Sequence, residues 1–355
     1  MAYVAVKGGT RAIEASLLLW RRERKAQAGR PAALIDQVMA EASLYAPDIA
    51  ELAVAQADGS PEEAVFLLRA FRSTVPRLHT TRVIDPSDLW VERRISAAFK
   101  DIPGGQLLGA TSDYSHRLIE FDDERFNEVE AQLAALARNL GPQDGAGTYP
   151  KVVDYLRQLD LLPTLLLDTS APGDVTKKSL EFPAKRSERL QILARGQTGT
   201  VTALGYASLR GYGALHPTVG ELRVGRLPVT VADPLSDGDP EDDHFLGEIR
   251  VTEVEMLVPV ELPRGEGRTD LQFDLGYGLC YGRNETKAIA MALLDQVLSA
   301  AAEGQGPGGP LADEEFVLLH VDSVEATGFI SHLKLPHYVT FQSKLESVRA
   351  SRKSP

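Results

Sequence analysis

The sequence predicts an α+β protein, and three observations carry that expectation. Apolar residues recur at helical spacing through most of the first 145 residues. Beyond residue 146, runs rich in β-compatible residues alternate with helical segments. Near residue 285 a glycine-rich, strand-like run feeds directly into a strong helix. The expected organisation is a mainly helical region over 1–145, then a mixed part over 146–355 with antiparallel strands, that junction, and a C-terminal His-x4-His stretch. GPQDGAGTYP, 141–150, has the composition of a surface loop and marks the expected boundary.

The chain has 355 residues, 43% hydrophobic and 25% charged, the balance of a globular protein with ample length for a core. It has no run of about 18 apolar residues, so no membrane helix is expected. The first residues, MAYVAVKGGTRAIEA, lack the pattern of a secretion signal. A single cysteine, Cys280, excludes an internal disulfide and fits a cytoplasmic protein. A net charge of −12 argues against general nucleic-acid binding.

In order, AYVAV reads as a short strand, followed by Lys7, Gly8 and Gly9, a turn or a weak anion cradle. Arg11–Lys25 is a helix with Thr10 as its N-cap. Pro31 opens a helix over 32–45, and Pro47 opens another to Gln56. Ser60 caps a helix over 61–75, whose dense apolar residues imply burial on much of its surface. Residues 87–99 read as a further helix carrying Arg93 and Arg94. In KDIPGGQLLG, Pro103 stops any helix, and Gly104 and Gly105 expose backbone N–H groups beside Lys100 and Gln106. Such a loop holds phosphate or is a plain turn. TSDYSHRLIEF then reads as a strand with His116 and Arg117 on opposite faces, and 121–140 as an acidic amphipathic helix.

In the second part, 186–195 is helical and GTVTALGYASLR, 199–210, is extended, leading to Gly211, Gly213 and His216. Residues 222–232 and 245–260 are strands joined by an acidic hairpin loop at 233–243. Glu253 and Glu255 share one strand face. FDLGYGLCYG precedes a helix with Asn284 as N-cap, and Gly276, Gly278 and Gly282 give an anion-friendly junction without the dinucleotide fingerprint. Residues 314–321 are a strand, and 338–350 a helix. Between them GFISHLKLPHY carries His332 and His337. Pro336 disfavours helix at Leu335, so the two imidazoles sit on a bend leaving a strand. Imidazole suits zinc, but a zinc ion takes about four ligands and no cysteine is near. The pair is either two ordinary histidines or half of a site completed from elsewhere.

Several strings taken together carry a resemblance: AYVAVKGG, EAVFLLRAFR, ERRISAAFKDIPGGQLLG, RGYGALHP, GYGLCYGRNETKAIAMALLD, DEEFVLLHVDSVEATGF and SHLKLPHYV. In this order they resemble the I subunit of the bacterial carbon–phosphorus lyase core complex, the PhnI family. The similarity spans nearly the whole chain and is weakest over 122–185 and in the acidic loop. The resemblance implies a role in phosphonate catabolism. With G and H partners and an ABC-type accessory protein, a member displaces adenine from ATP by a phosphonate, giving an α-ribose 1-phosphonate 5-triphosphate. Alone it acts as a purine nucleosidase. It also implies zinc on His332 and His337 at the interface with the radical-SAM J subunit, either structural or holding substrate, with the missing ligands open to supply by a partner.

Base displacement at an anomeric carbon passes through an oxocarbenium-like state. It needs a donor to the departing purine, negative or polar groups near the developing charge, and cations or backbone N–H groups on the triphosphate. By chemical type, the candidates for acid–base and charge roles are Asp113, His116, Glu253 and Glu255. Those for substrate binding are Lys100, Gly104, Gly105, Gln106, Arg210, Gly211, Gly213 and His216. The competing expectation is a non-catalytic scaffold with a zinc-bearing interface, favoured by the incomplete ligand set. A stand-alone metallohydrolase fits poorly, because no HExxH-type set is present.

Overall fold

The computed structural model describes residues 9–27, 30–117, 119, 129–140, 149–162, 171–212, 216–236, 239–263, 269–304 and 308–352. It is α+β, with a four-stranded antiparallel sheet of order β1-β2-β3-β4 and twelve α-helices among those residues.

The chain opens with α1 (Thr10–Ala26), α2 (Ala32–Ala42), α3 (Pro47–Gln56) and α4 (Pro61–Thr74). Pro47 and Pro61 sit in the first turns of α3 and α4, and the Ser60 hydroxyl accepts from the Glu63 N–H at 3.4 Å. The helix α1 begins one residue early: Gly9 is its N-cap, and Thr10 makes no capping bond. Helices α2–α4 close on a small-residue core of Val38, Met39, Ala50, Ala64, Val65 and Leu68. Against expectation, α4 buries only one stripe. Ala64, Val65 and Leu68 face inward, while Phe66 and Phe71 are exposed.

The sheet is β1 (Trp90–Ile95), β2 (Thr218–Val231), β3 (His244–Pro263) and β4 (Thr269–Tyr281). The helix expected over 87–99 is therefore strand β1. Its two arginines account for the difference, because each is buried on an opposite face of the strand beside a carboxylate: Arg93 with Glu285, Arg94 with Glu221. Pairing with β2 draws a strand from the first part of the chain into the sheet formed by the second. The acidic segment joins β2 to β3 as a hairpin.

One face of the sheet packs on α9 (Glu285–Ala302) through Val254, Met256, Cys280, Met291 and Leu294. Gly276 and Gly278 lie within β4 rather than at the helix start. A Cβ at either would collide with the carbonyl oxygen of Ala292 or Ala288, so these glycines set how closely α9 approaches. Around this core stand α5 (Val129–Leu140), α6 (Val152–Gln158), α7 (Arg186–Arg195), α8 (Thr198–Ala207) and α10 (Glu314–His320).

Two of these correct the sequence reading. Residues 199–210 are helical because Gly205 lets α8 press against Ala290 of α9. Residues 314–320 are helical because Asp313 caps the first turn at the Phe316 N–H, and Val317 and Leu318 turn inward. Residues 111–117 form turns, not a strand. The expected N-terminal strand, residues 121–128 of the expected acidic helix and most of the 141–150 loop lie outside the described residues. Among the described residues no helix is long and apolar enough to cross a membrane.

The chain ends in α11 (Ser323–Ser331), a short turn and α12 (Tyr338–Ser351). The bend with both histidines leaves a helix, not a strand. Leu335 is extended before Pro336, as the proline requires.

Candidate functional site

The sheet face opposite α9 carries an ionic core between two apolar clusters. Arg94 is fully buried. It pairs with Glu221 and donates to the carbonyls of Pro103 and, at 2.8 Å, Pro150. Register places Arg223 opposite Glu253, and the two pair. Lys151 bridges Glu253 at 2.8 Å and Glu255 at 3.0 Å, and the Tyr277 hydroxyl donates to Glu253 at 3.0 Å. Glu253 and Glu255 are thus brought together as expected from their spacing, but both are buried. Their environments push them apart. Burial opposes ionisation of Glu253 but is outweighed by Arg223 and Lys151, which hold it below the usual carboxylate range. Glu255, raised by burial and by the charge of Glu253, is pushed up to about 7, and its Oε2 has no partner.

The 100–106 loop is tied to this core. Gly104 and Gly105 both have positive φ, and the Gly105 N–H goes to the Ile102 carbonyl at 2.8 Å. The Gln106 amide is held by its own loop, accepting from Ser96 and donating to the carbonyls of Phe99 and Lys100. Lys100 is exposed.

Asp113 lies elsewhere, on the rim of a polar recess of about 390 Å³ between α1, α2 and the start of α9. It accepts from Arg93 at 2.5 Å. Asp36, in the same recess, accepts from the Arg283 backbone N–H at 2.9 Å, and burial raises its pKa. His116 is exposed and is not part of the recess lining. Arg210 stacks over Tyr206 at 5.9 Å in the turn that includes Gly211. His216 is exposed, and Gly213 lies outside the described residues.

The rings of His332 and His337 lie 5.4 Å apart, both exposed. Each directs Nδ1 at a backbone carbonyl, of Phe329 and of Leu335 (2.6 Å) respectively. With Nδ1–H on a carbonyl, the neutral ring keeps its lone pair on Nε2, the usual setting of a metal-ligating histidine. Among the described residues no group of three or more His, Cys, Asp or Glu side chains is placed to hold an ion.

Sequence reasoning missed a further feature. An apolar cavity of about 520 Å³ lies over the edge strand β4, lined among others by Tyr277, Leu279, Tyr281, Ile84, Leu190 and Ser43. Arg72 and Arg195 both donate to Ser43, to its carbonyl and its hydroxyl, each at 3.4 Å. The available signal was Arg72 itself: no acidic residue stands three or four positions from it on α4.

Comparison with known proteins gives the family of the chain. The family described as bacterial phosphonate metabolism protein (PhnI) matches residues 2–355. A putative C-P lyase subunit protein, HtxH, of Stutzerimonas stutzeri is 45% identical over 368 residues, covering 99% of this chain and 96% of the relative. The alpha-D-ribose 1-methylphosphonate 5-triphosphate synthase subunit PhnI of Rhizobium meliloti (strain 1021) is 41% identical, covering 99% and 95%. The protein of that name from Escherichia coli (strain K12) is 41% identical, covering 98% and 97%.

Proposed function

The chain belongs to the PhnI family of bacterial phosphonate metabolism proteins, and we propose that it is a subunit of an α-D-ribose 1-methylphosphonate 5-triphosphate synthase. In this reading it works in the cytoplasm, displacing adenine from ATP by a phosphonate, and without partners it releases the base to water. The observation that carries the reading is similarity along almost the entire length of relatives so named. A β-nucleotide yielding an α-product requires a single inversion at the anomeric carbon, so no covalent intermediate on the chain is needed. The residues then have three tasks: holding the triphosphate, stabilising the oxocarbenium-like charge and protonating the departing purine. Asp113 is the candidate carboxylate with open access. Glu253 and Glu255 are buried, and Glu253 acts through the Tyr277 hydroxyl it holds.

The G, H and J subunits of the carbon–phosphorus lyase core and the ABC-type accessory proteins are the partners of this reading. Its support in the structure is the C-terminal hairpin. No residue of α12 is buried, and Phe329, Tyr338, Val339 and Phe341 are all exposed. Large apolar side chains exposed together on one short segment are characteristic of a protein interface. His332 and His337 stand within that segment and would hold zinc, with the remaining ligands from the docked subunit. When bound, zinc supplies a positive charge for substrate oxygens or staples the interface. The same features favour the second reading, a scaffold that carries the metal for a neighbour's chemistry.

The test is adenine release from ATP, with and without methylphosphonate, by the chain assembled with its partners. The wild type is compared with a His332→Ala/His337→Ala variant, with zinc quantified in both. Phosphonate-dependent adenine release that requires this chain supports the synthase reading. Equal release by the partners without it supports the scaffold and refutes the first reading. A variant that loses zinc yet keeps adenine release places the metal in the interface rather than in ribosyl transfer.

A further inference from the structure

Arg69, Arg72, Arg77 and Arg195 gather where the ends of α2, α4 and α7 meet. Two are neutralised: Arg69 by Asp322 at 2.7 Å and Arg77 by Asp174 at 2.6 Å. Arg72 and Arg195 have no carboxylate within 4 Å among the described residues. Their only hydrogen bonds there are the two long ones to Ser43, which leaves most of their ten N–H donors unused. Burial and neighbouring guanidinium charges lower the pKa of both, that of Arg195 to about 10. A shortage of acids does not explain this, since the chain carries 50 Asp and Glu against 38 Lys and Arg. Holding two partly desolvated cations together with no carboxylate in direct contact with either is costly, and a bound polyanion lowers the cost.

Ser43 connects these cations to the cavity, because it is also part of the cavity lining. It is held in the left-handed conformation at the end of α2, where its hydroxyl and carbonyl both meet arginine. The cavity volume falls in the range typical of small-molecule sites, and its walls are mainly apolar and aromatic. The Tyr277 side chain lines it too, with its hydroxyl committed to Glu253.

We propose that Arg72 and Arg195 together with this cavity form the binding site for a purine nucleoside phosphate, the phosphates on the guanidiniums and the base between the apolar walls. The choice of a purine nucleotide rests on the synthase reading. The pairing of an anion subsite with an apolar one rests on the geometry alone. Arginine suits this task because its planar fork matches phosphate oxygens two at a time.

The test is equilibrium binding to the full chain of formycin A 5′-triphosphate, a fluorescent purine nucleotide analogue. Its base is joined to ribose by a carbon–carbon bond, so binding is read without turnover. Formycin A and inorganic tripolyphosphate serve as competitors. Arg72→Gln/Arg195→Gln is expected to weaken the triphosphate by about 100-fold, tenfold for each lost charge-assisted contact, and to leave formycin A within about twofold. Ser187→Trp, which fills the cavity from α7, is expected to weaken both nucleoside and nucleotide. Arg72→Lys/Arg195→Lys keeps the charge and serves if the glutamine variant fails to fold; it is expected to bind between wild type and the glutamine variant. Unchanged triphosphate affinity in the charge-removing variant overturns the proposal, as does a wild type that does not bind the probe. Tripolyphosphate competing as well as the nucleotide, with no effect of Ser187→Trp, overturns the cavity's part in it. Probe binding as expected, in a complex that releases no adenine from ATP, sinks the synthase reading and leaves the site standing.

Discussion

Replacing Glu255 with Gln should make the protein more stable, and the gain should grow with pH. Glu255 is almost wholly buried and shares Lys151 with Glu253, while its Oε2 faces no donor. Burial and the charge of Glu253 raise it from an ordinary 4.5 to about 7. The fold therefore favours the protonated carboxyl. Its contribution to stability is fully present below pH 4.5 and is lost as pH rises toward 7, because the unfolded chain ionises first. A difference of that size corresponds to roughly 3 kcal/mol once both states are ionised. Glutamine is a neutral analogue that still accepts from Lys151 through its oxygen. The stability gap between Glu255→Gln and wild type should widen by roughly 2 to 3 kcal/mol between pH 5 and pH 8. Glu253, held low by Arg223 and Lys151, titrates below this window and does not confound it. Denaturant midpoints of both proteins at four or so pH values measure the gap, and the difference cancels every group they share. A gap that stays flat, or widens toward low pH, would refute the reasoning.

Gly278→Ala should cost about 1–3 kcal/mol, because its Cβ falls on the Ala288 carbonyl and α9 must move. Gly199→Ala, in open space on α8, should instead stabilise by up to about 1 kcal/mol, and thermal melts of the pair check the contrast. Arg94→Met should cost about 3–5 kcal/mol, since it strands buried Glu221, and should expose the 103–105 loop to faster hydrogen exchange. Arg94→Met/Glu221→Leu should recover much of that loss, which denaturant unfolding of the double variant measures.

What was legible in the sequence follows from what acts locally. Prolines at helix starts, the Ser60 cap and the period of α2–α4 were readable because each is decided within one turn. The long strands β2 and β3 and the shared face of Glu253 and Glu255 were readable from composition and the period of two. The errors came where a distant partner decides. VERRI reads as part of a helix until Glu221 and Glu285 pair with its arginines, buried on opposite faces of a strand. GTVTALGYA has strand composition, but Gly205 against Ala290 makes it a helix. In the same way Gly276 and Gly278 look like an anion cradle, yet their missing side chains serve α9. The arginine pair at Ser43 joins α4 to α7 across more than 120 residues of sequence, and only the fold reveals it.

The two features that point outward from the chain share one anchor. Asp322 caps α11 by accepting from the N–H groups of Val324 and Glu325, and it takes both carboxylate bonds from Arg69. Arg69 also donates to the carbonyls of Glu41 and Arg195. The root of the histidine-bearing hairpin is therefore fixed to the guanidinium cluster that includes Arg72 and Arg195, which hold Ser43 of the cavity wall. Beyond Ser323 none of the described residues of the hairpin is buried, so its position depends on that root and on whatever docks against its apolar surface. A docked partner that reorients α11 must pull on Asp322. That in turn alters how Arg69, and the charge it adds beside Arg195, is held. If seating the hairpin changes the affinity of the arginines for an anion, linkage requires that the anion change the seating by the same factor.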